Sequence, residues 1–284
     1  MMLVKELNNF IRERENIRRN HDLRVNGPWT DDPILATYRF CNVHREDDKV
    51  TKWIADHWRG PHAEDPDLWF AMLVARLTNL PTTMTIIGYP VPWQPEKVRE
   101  RMKEARANGA RLYNPAYMIG TQGTAGDKVD FLVDIVWSKL WAIRSALRPM
   151  VGDRLEDFAK RLLPHFGMGT FLVGQIIADV KYVLPLRVAS DWRSFALSGP
   201  GSRRGLNRVL GYALNAPWRE DEWKEQLRLL HKRINHNMHA QDLQNCLCEF
   251  DKYMRARLGE GAPKQRYKRG TAWEDTSPPP LPSS

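Results

Sequence analysis

Between Leu162 and Arg208 the chain passes through a tight glycine turn, an apolar helical stretch and a second glycine-rich turn loaded with arginine. That order leaves little room for anything but packed helices. Leu163-Pro164-His165-Phe166-Gly167-Met168-Gly169 can reverse a helix within a few residues, because glycine enters the left-handed backbone region without a steric penalty. Such a turn also frees backbone N–H groups at a helix start, where a phosphate binds. Gly167 and Gly169 are the candidate DNA contacts, although an ordinary corner between helices would use the same residues. Asp191 follows Gly167 by 24 positions and is followed by Trp192.

The pattern elsewhere is helical too. Residues 2–20 read as an amphipathic basic helix. Asp31 or Asp32 caps a helix with Pro33 at its first position, and its apolar spacing continues through Cys41 and Arg45 toward Trp58. Further helices are expected at about 67–79, from Pro95 to Asn108, at 127–147, from Asp153 to the turn, and at 170–181, 192–198, 202–214, 219–233 and 240–257. Thr82 to Trp93 reads as an irregular or strand-like passage. The fold class is all-α. Residues 1–258 form one helical domain, and 259–284 form a basic, proline-rich mobile tail whose Lys264, Arg266, Lys268 and Arg269 could add DNA affinity.

Lys and Arg total 43 against 34 Asp and Glu, a net charge of +9, which suits a polyanionic partner. The 11 tryptophans provide flat faces on which a splayed base could stack, though most are expected to pack in the core. Among them Trp192 is the candidate wedge or stacking partner. No run of about eighteen apolar residues exists, so no membrane partner is expected, and the N-terminus lacks a signal-peptide layout. A cytoplasmic location follows. Cys41, Cys246 and Cys248 make no disulfide framework. His236 and His239 precede Cys246 and Cys248, but at no usual zinc spacing, so reduced thiols and no metal are expected.

The second turn is the strongest chemical signal. Gly199-Pro200-Gly201-Ser202-Arg203-Arg204-Gly205-Leu206-Asn207-Arg208 joins glycine-freed amides, a helix start and three arginines. Gly201, Ser202, Arg203, Arg204 and Arg208 could together hold a diphosphate. A solvated basic helix start would look the same. Thr121-Gln122-Gly123-Thr124-Ala125-Gly126-Asp127-Lys128 also opens a helix but lacks the Gly-Lys-Ser/Thr ending of a nucleotide-binding P-loop. Lys128 and Arg45 are candidates for a phosphate contact. Asn42 and Gln175 could read a base edge. Asn245, Glu249 and Lys252 share a stripe on the last helix, where a Glu–Lys pair could serve an incoming amine or simply fix the fold.

Two resemblances join these readings. The hairpin with Asp191 at its offset resembles the helix-hairpin-helix DNA glycosylases, in which an aspartate at about this offset sits in the base pocket. Glycosylases that also cleave the backbone carry a lysine in the hairpin; Met168 and Gly169 stand there, so Schiff-base chemistry is not expected. Pro28-Trp29-Thr30-Asp31-Asp32-Pro33-Ile34-Leu35, Phe40-Cys41-Asn42-Val43-His44-Arg45-Glu46 and Cys248-Glu249-Phe250-Asp251-Lys252-Tyr253 resemble the helical domain of bacteriophage 5-hydroxymethyl-deoxyuridine DNA kinases and the alpha-glutamyl/putrescinyl thymine pyrophosphorylase family. That resemblance runs over about residues 5–257.

It implies a glycosylase-like helical fold with two lobes flanking a cleft, and a transferase in thymidine hypermodification. Such an enzyme replaces the pyrophosphate of 5-pyrophosphomethyl-deoxyuridine in double-stranded DNA with an amine, an amino acid such as glycine or a polyamine. Asp191, Glu249 and Lys252 are then the catalytic candidates, acting on a base flipped from the stack. No cofactor is required, and Mg²⁺ could assist on the diphosphate. Two other readings stand beside this one: a monofunctional glycosylase for a modified pyrimidine, and a non-catalytic DNA-binding partner of the kinase.

Overall fold

The computed structural model describes residues 2–114 and 126–266. The glycine loop from Thr121 to Ala125 and the tail residues Lys268 and Arg269 lie outside the described residues. Among the described residues the structure is helical, and its one β pairing is an isolated bridge between Tyr38 and Arg266. Eight helices carry the argument and are labelled in chain order: α1 Val4–Asp22, α2 Pro33–Thr37, α3 Leu68–Thr78, α4 Leu155–Leu162, α5 Thr170–Val180, α6 Pro200–Leu210, α7 Glu220–His231 and α8 Ala240–Arg257. The chain divides into two compact units, Met1–Asp48 with Ala196–Ser284, and Lys49–Phe195.

In the first unit, α8 lies at the centre. Leu243, Cys246, Leu247, Phe250 and Tyr253 present its apolar face at helical spacing to Leu7, Phe10, Ile11 and Ile17 of α1, Leu206 and Val209 of α6, and Trp223, Leu227 and Leu230 of α7. At about 25 cal/mol per Å² of apolar surface removed from water, burial of this set is the main force holding the unit together. α2 is short but well started. Asp32 accepts N–H bonds from Ile34 at 2.9 Å and Leu35 at 3.0 Å, and Pro33 occupies the first turn.

Helices α6 and α8 come closer than side chains normally permit. A Cβ at Gly205 would sit 2.0 Å from the Leu247 carbonyl oxygen, and one at Gly201 would sit 2.3 Å from Cys248 Sγ. The start of the expected tail is also tied down. Arg39 N–H donates to the Gln265 carbonyl at 3.0 Å, and Glu260 pairs with Arg208.

In the second unit, α3 and α5 are buried on nearly every side, as their almost uninterrupted apolar sequences require. They are joined by a buried ion pair in which Arg76 Nε donates to Asp179 Oδ2 at 2.6 Å and Nη2 to Oδ1 at 2.5 Å. The predicted glycine turn connects α4 to α5, with Gly167 at φ +81° and Gly169 as the N-cap of α5.

Three stretches depart from the sequence reading. The helix expected from Pro33 toward Trp58 is interrupted: it stops at Thr37, residues 39–44 are irregular, Arg45–Asp47 form a short 3-10 turn, and helix resumes at Lys49–Ile54. Pro81–Ile87, expected to be irregular, is a helix opened by Pro81. Residues 192–198 form no helix beyond a single turn on the Asp191 carbonyl, and the Asp191 side chain caps α4. No helix of the described residues is long and apolar enough to cross a membrane.

Candidate functional site

The irregular segment from Phe40 to the turn that opens at Arg45 has no strand beside it among the described residues, so its backbone N–H groups need other partners. Side chains of α8 supply two. Glu249 Oε2 accepts the Cys41 N–H at 3.2 Å, and Asp242 Oδ1 accepts the Arg45 N–H at 3.1 Å. Between them Asn245 Nδ2 donates to the Asn42 carbonyl at 3.4 Å. Residues 242, 245 and 249 recur at helical spacing, so one stripe of α8 clips the segment along its length. The Asn42 side chain closes the following turn by donating to the Asp47 carbonyl at 2.9 Å.

Both carboxylates are buried, Asp242 at 5 % and Glu249 at 4 % exposure, so each needs charged or hydrogen-bonded compensation. Lys252 Nζ donates to Glu249 Oε1 at 2.5 Å. Burial opposes the ammonium charge, but the adjacent Glu249 carboxylate and Cys248 outweigh it, and the Lys252 pKa is raised. Lys252 is therefore a fixed cation. Asp242 is held below the usual carboxylate range: burial works against its charge, and the His44 ring with the Arg45 and His239 N–H groups prevails. Asn42, Arg45, Glu249 and Lys252 are thus the sequence-chosen residues that the fold gathers in one place.

One turn further along α8, Tyr253 Oη donates to Asp32 Oδ2 at 2.6 Å. It borders a cavity of about 540 Å³ lined by Lys5, Glu6 and Glu13 of α1, Asp32 and Pro33 at the start of α2, and Arg257. Its walls carry both signs of charge beside the Phe10 ring. Sequence reading missed Lys5, Glu6, Glu13 and Arg257 and saw Asp32 only as a cap. The available signal was that Asp32 and Tyr253 both lie in stretches already singled out as distinctive.

The arginine turn is tied into the fold by internal hydrogen bonds. The Ser202 hydroxyl caps its own helix by accepting the Gly199 N–H at 2.9 Å. Arg203 donates to Ser198 Oγ and to Glu220, Arg204 to Asp251 and Asn215, and Arg208 to Asp251 and Glu260. Burial lowers the Arg208 pKa, but bonds to Glu260 and Asp251 prevail and raise it. Gly201 and Gly205 admit α8. Of the diphosphate candidates Gly201, Ser202, Arg203, Arg204 and Arg208, the three arginines thus each have a carboxylate partner within the fold.

Asp191, Trp192, Gln175, Lys128, Gly167 and Gly169 all belong to the second unit. Both Asp191 oxygens accept helix-start N–H groups, from Leu155 at 2.8 Å and Glu156 at 3.0 Å. Its placement is that of a cap at the start of α4. Trp192 Nε1 donates to the Lys181 carbonyl at 2.6 Å, and the Lys181 ammonium sits 4.5 Å from the indole centroid, so the ring already has a partner on one face. Gln175 is buried in α5. Lys128 lies 4.1 Å from the Tyr113 centroid, and its pKa is lowered by burial.

Comparison with known proteins adds a context. A family model described as the helical domain of 5-hmdU DNA kinase matches residues 2–262. The 5-hmdU DNA kinase of Bacillus phage SP10 is 25 % identical over 224 residues, covering 69 % of this chain and 34 % of that protein. The chain therefore spans about a third of the length of this curated relative. No solved structure matches.

Proposed function

The chain belongs to the 5-hmdU DNA kinase helical-domain family, and from that premise we propose that it modifies thymine positions in phage DNA, as the transferase that exchanges pyrophosphate for an amine. The observation that carries this reading is the convergence of the three family-like stretches. Residues 28–35, 40–46 and 248–253 meet through the Tyr253–Asp32 and Glu249–Cys41 hydrogen bonds, at 2.6 and 3.2 Å. The matching family model is that of the helical domain, and the transfer step is the one we assign to it.

The substrate is 5-pyrophosphomethyl-deoxyuridine in double-stranded DNA, extruded from the stack. The C–O bond from the methylene carbon to pyrophosphate breaks, and pyrophosphate leaves with the electron pair. A C–N bond forms to the donor nitrogen, which gives its proton to Glu249. Lys252, held as a cation, stabilises the charge that develops on the leaving group. The cavity bordered by Asp32, Lys5, Glu13 and Arg257 has the paired charges a zwitterionic amino acid requires, carboxylates for its ammonium group and cations for its carboxylate. Glycine is the simplest donor of that kind. The helix-hairpin-helix turn supports the phosphate backbone through the amides at Gly167 and Gly169, as in a glycosylase-like scaffold.

The test is incubation of DNA carrying 5-pyrophosphomethyl-deoxyuridine with a pool of amino acids and polyamines, followed by nucleoside mass spectrometry. An aminated nucleoside supports the reading. Free base identifies a glycosylase, and pyrophosphate retained with every donor points to a non-catalytic DNA-binding partner.

A further inference from the structure

Away from the proposed reaction, three elements of the first unit bring nitrogen and oxygen ligands together. Glu15 lies on α1, His44 at the end of the irregular segment after α2, and His236 between α7 and α8. Their ligating atoms all fall within 4.8 Å of one another. His44 Nε2 and His236 Nε2 are 3.3 Å apart. Two imidazole nitrogens bound to one tetrahedral ion, each at about 2.0–2.1 Å, are separated by about 3.3 Å. The spacing thus already matches a shared ion.

A second observation concerns orientation. His44 Nδ1 lies 3.5 Å from Asp242 Oδ2, and Asp242 is only 5 % exposed and anchored by the Arg45 N–H. A carboxylate behind one ring nitrogen holds the proton there and turns the other nitrogen outward as a lone-pair donor, the arrangement found behind metal-bound histidines. Glu15, 3 % exposed, supplies the carboxylate. It also receives Arg18 at 3.1 Å, but Arg18 has Asp22 at 2.9 Å and Asp47 at 3.1 Å as well, and so would keep partners if Glu15 turned to an ion. Cys246, considered from sequence as a zinc ligand with His236, instead points its thiol at the Val43 carbonyl at 3.9 Å.

We propose that Glu15, His44 and His236 form a binding site for one divalent transition-metal ion, with Asp242 as the residue that orients His44. Two imidazoles and one carboxylate suit zinc and its first-row neighbours rather than magnesium. Three protein ligands leave one coordination position for water or an anionic oxygen. The site stands independently of the transferase reading.

The experiment uses the full chain, stripped with a chelator and exchanged into metal-free buffer. Cobalt(II) titration followed by visible absorption, with zinc competition and metal analysis by mass spectrometry, reads occupancy and geometry. One ion per chain with tetrahedral-type cobalt bands is expected. H44Q and H236Q should each lose the bands, and D242N should weaken affinity by about 10–100-fold. Circular dichroism establishes that each variant is folded. Folded wild-type protein that takes up neither cobalt nor zinc overturns the proposal. So does an H44Q/H236Q double variant that retains the wild-type spectrum and stoichiometry, and a simple hydrogen bond between the two rings would then account for their approach.

Discussion

Tyr253 and Asp32, 221 residues apart, share a 2.6 Å hydrogen bond from phenol to carboxylate. The same carboxylate starts α2 through its other oxygen, so one aspartate joins the last helix to the second. Tyr253→Phe should lower stability by about 1.5–3 kcal/mol, the range for a hydrogen bond to a charged group. Burial first, and the Asp32 carboxylate second, push the Tyr253 hydroxyl up to about 12, above its ordinary value of 10.0. A raised folded-state value gives stability that is complete below the unfolded value and is lost as pH rises through the folded one. Urea unfolding should therefore show the wild type's advantage over Tyr253→Phe in full below pH 10 and shrinking as pH approaches 12. A gap that is unchanged across that window would contradict the assignment.

Gly205→Ala should be among the most damaging small substitutions in the first unit. The new methyl would meet the Leu247 carbonyl oxygen at 2.0 Å, and backbone on a packed helix has nowhere to go. A loss of about 3 kcal/mol or more is expected from overpacking. Gly201→Ala meets the Cys248 sulfur instead, at 2.3 Å, and that side chain can rotate. Its cost should be about 1 kcal/mol, and Cys248→Ala should recover part of it in a double-mutant cycle.

Removing one partner of the buried Arg76–Asp179 pair strands the other charge. Their side chains are 2 % and 0 % exposed. Asp179→Asn should destabilise the protein by about 3–5 kcal/mol. Replacing both residues with apolar ones of similar volume should cost less than either single change, and chemical denaturation of the three variants tests that order.

Glu249→Gln and Asp191→Asn separate the two carboxylates once considered as catalytic. Glu249→Gln should cut the transfer rate by about 10²–10⁴-fold, as loss of a general base does. Asp191→Asn should instead cost about 1 kcal/mol of stability through the weakened α4 cap and leave single-turnover transfer nearly intact at low temperature. The opposite pattern would move the chemistry into the second unit.

Local signals were legible in the sequence. The bounds expected for the last helix, residues 240–257, coincide with Ala240–Arg257, and Asp32 with Pro33 marked the start of α2. Failures came where the deciding partner is distant. Phe40 to Arg45 has helical spacing, yet Glu249 takes the Cys41 N–H from 208 positions away and the segment stays irregular. A glycine-rich arginine turn reads alike whether it receives phosphate or another helix. Asp251 and Glu260, the partners of Arg208, lie 43 and 52 positions downstream. Glu249 and Lys252 were visible together because a helix places them side by side. The mixed-charge cavity was not, since its walls come from both ends of the chain.

The segment after α2 is irregular chain that borrows a helix's side chains in place of a sheet. Rotation of a single carboxyl group is enough to release a main-chain amide there, which no β-ladder permits. A substrate competing for Glu249 would thus be felt as slack in the polypeptide itself, and deuterium uptake at Cys41 becomes a reporter of occupancy that requires no label and no turnover.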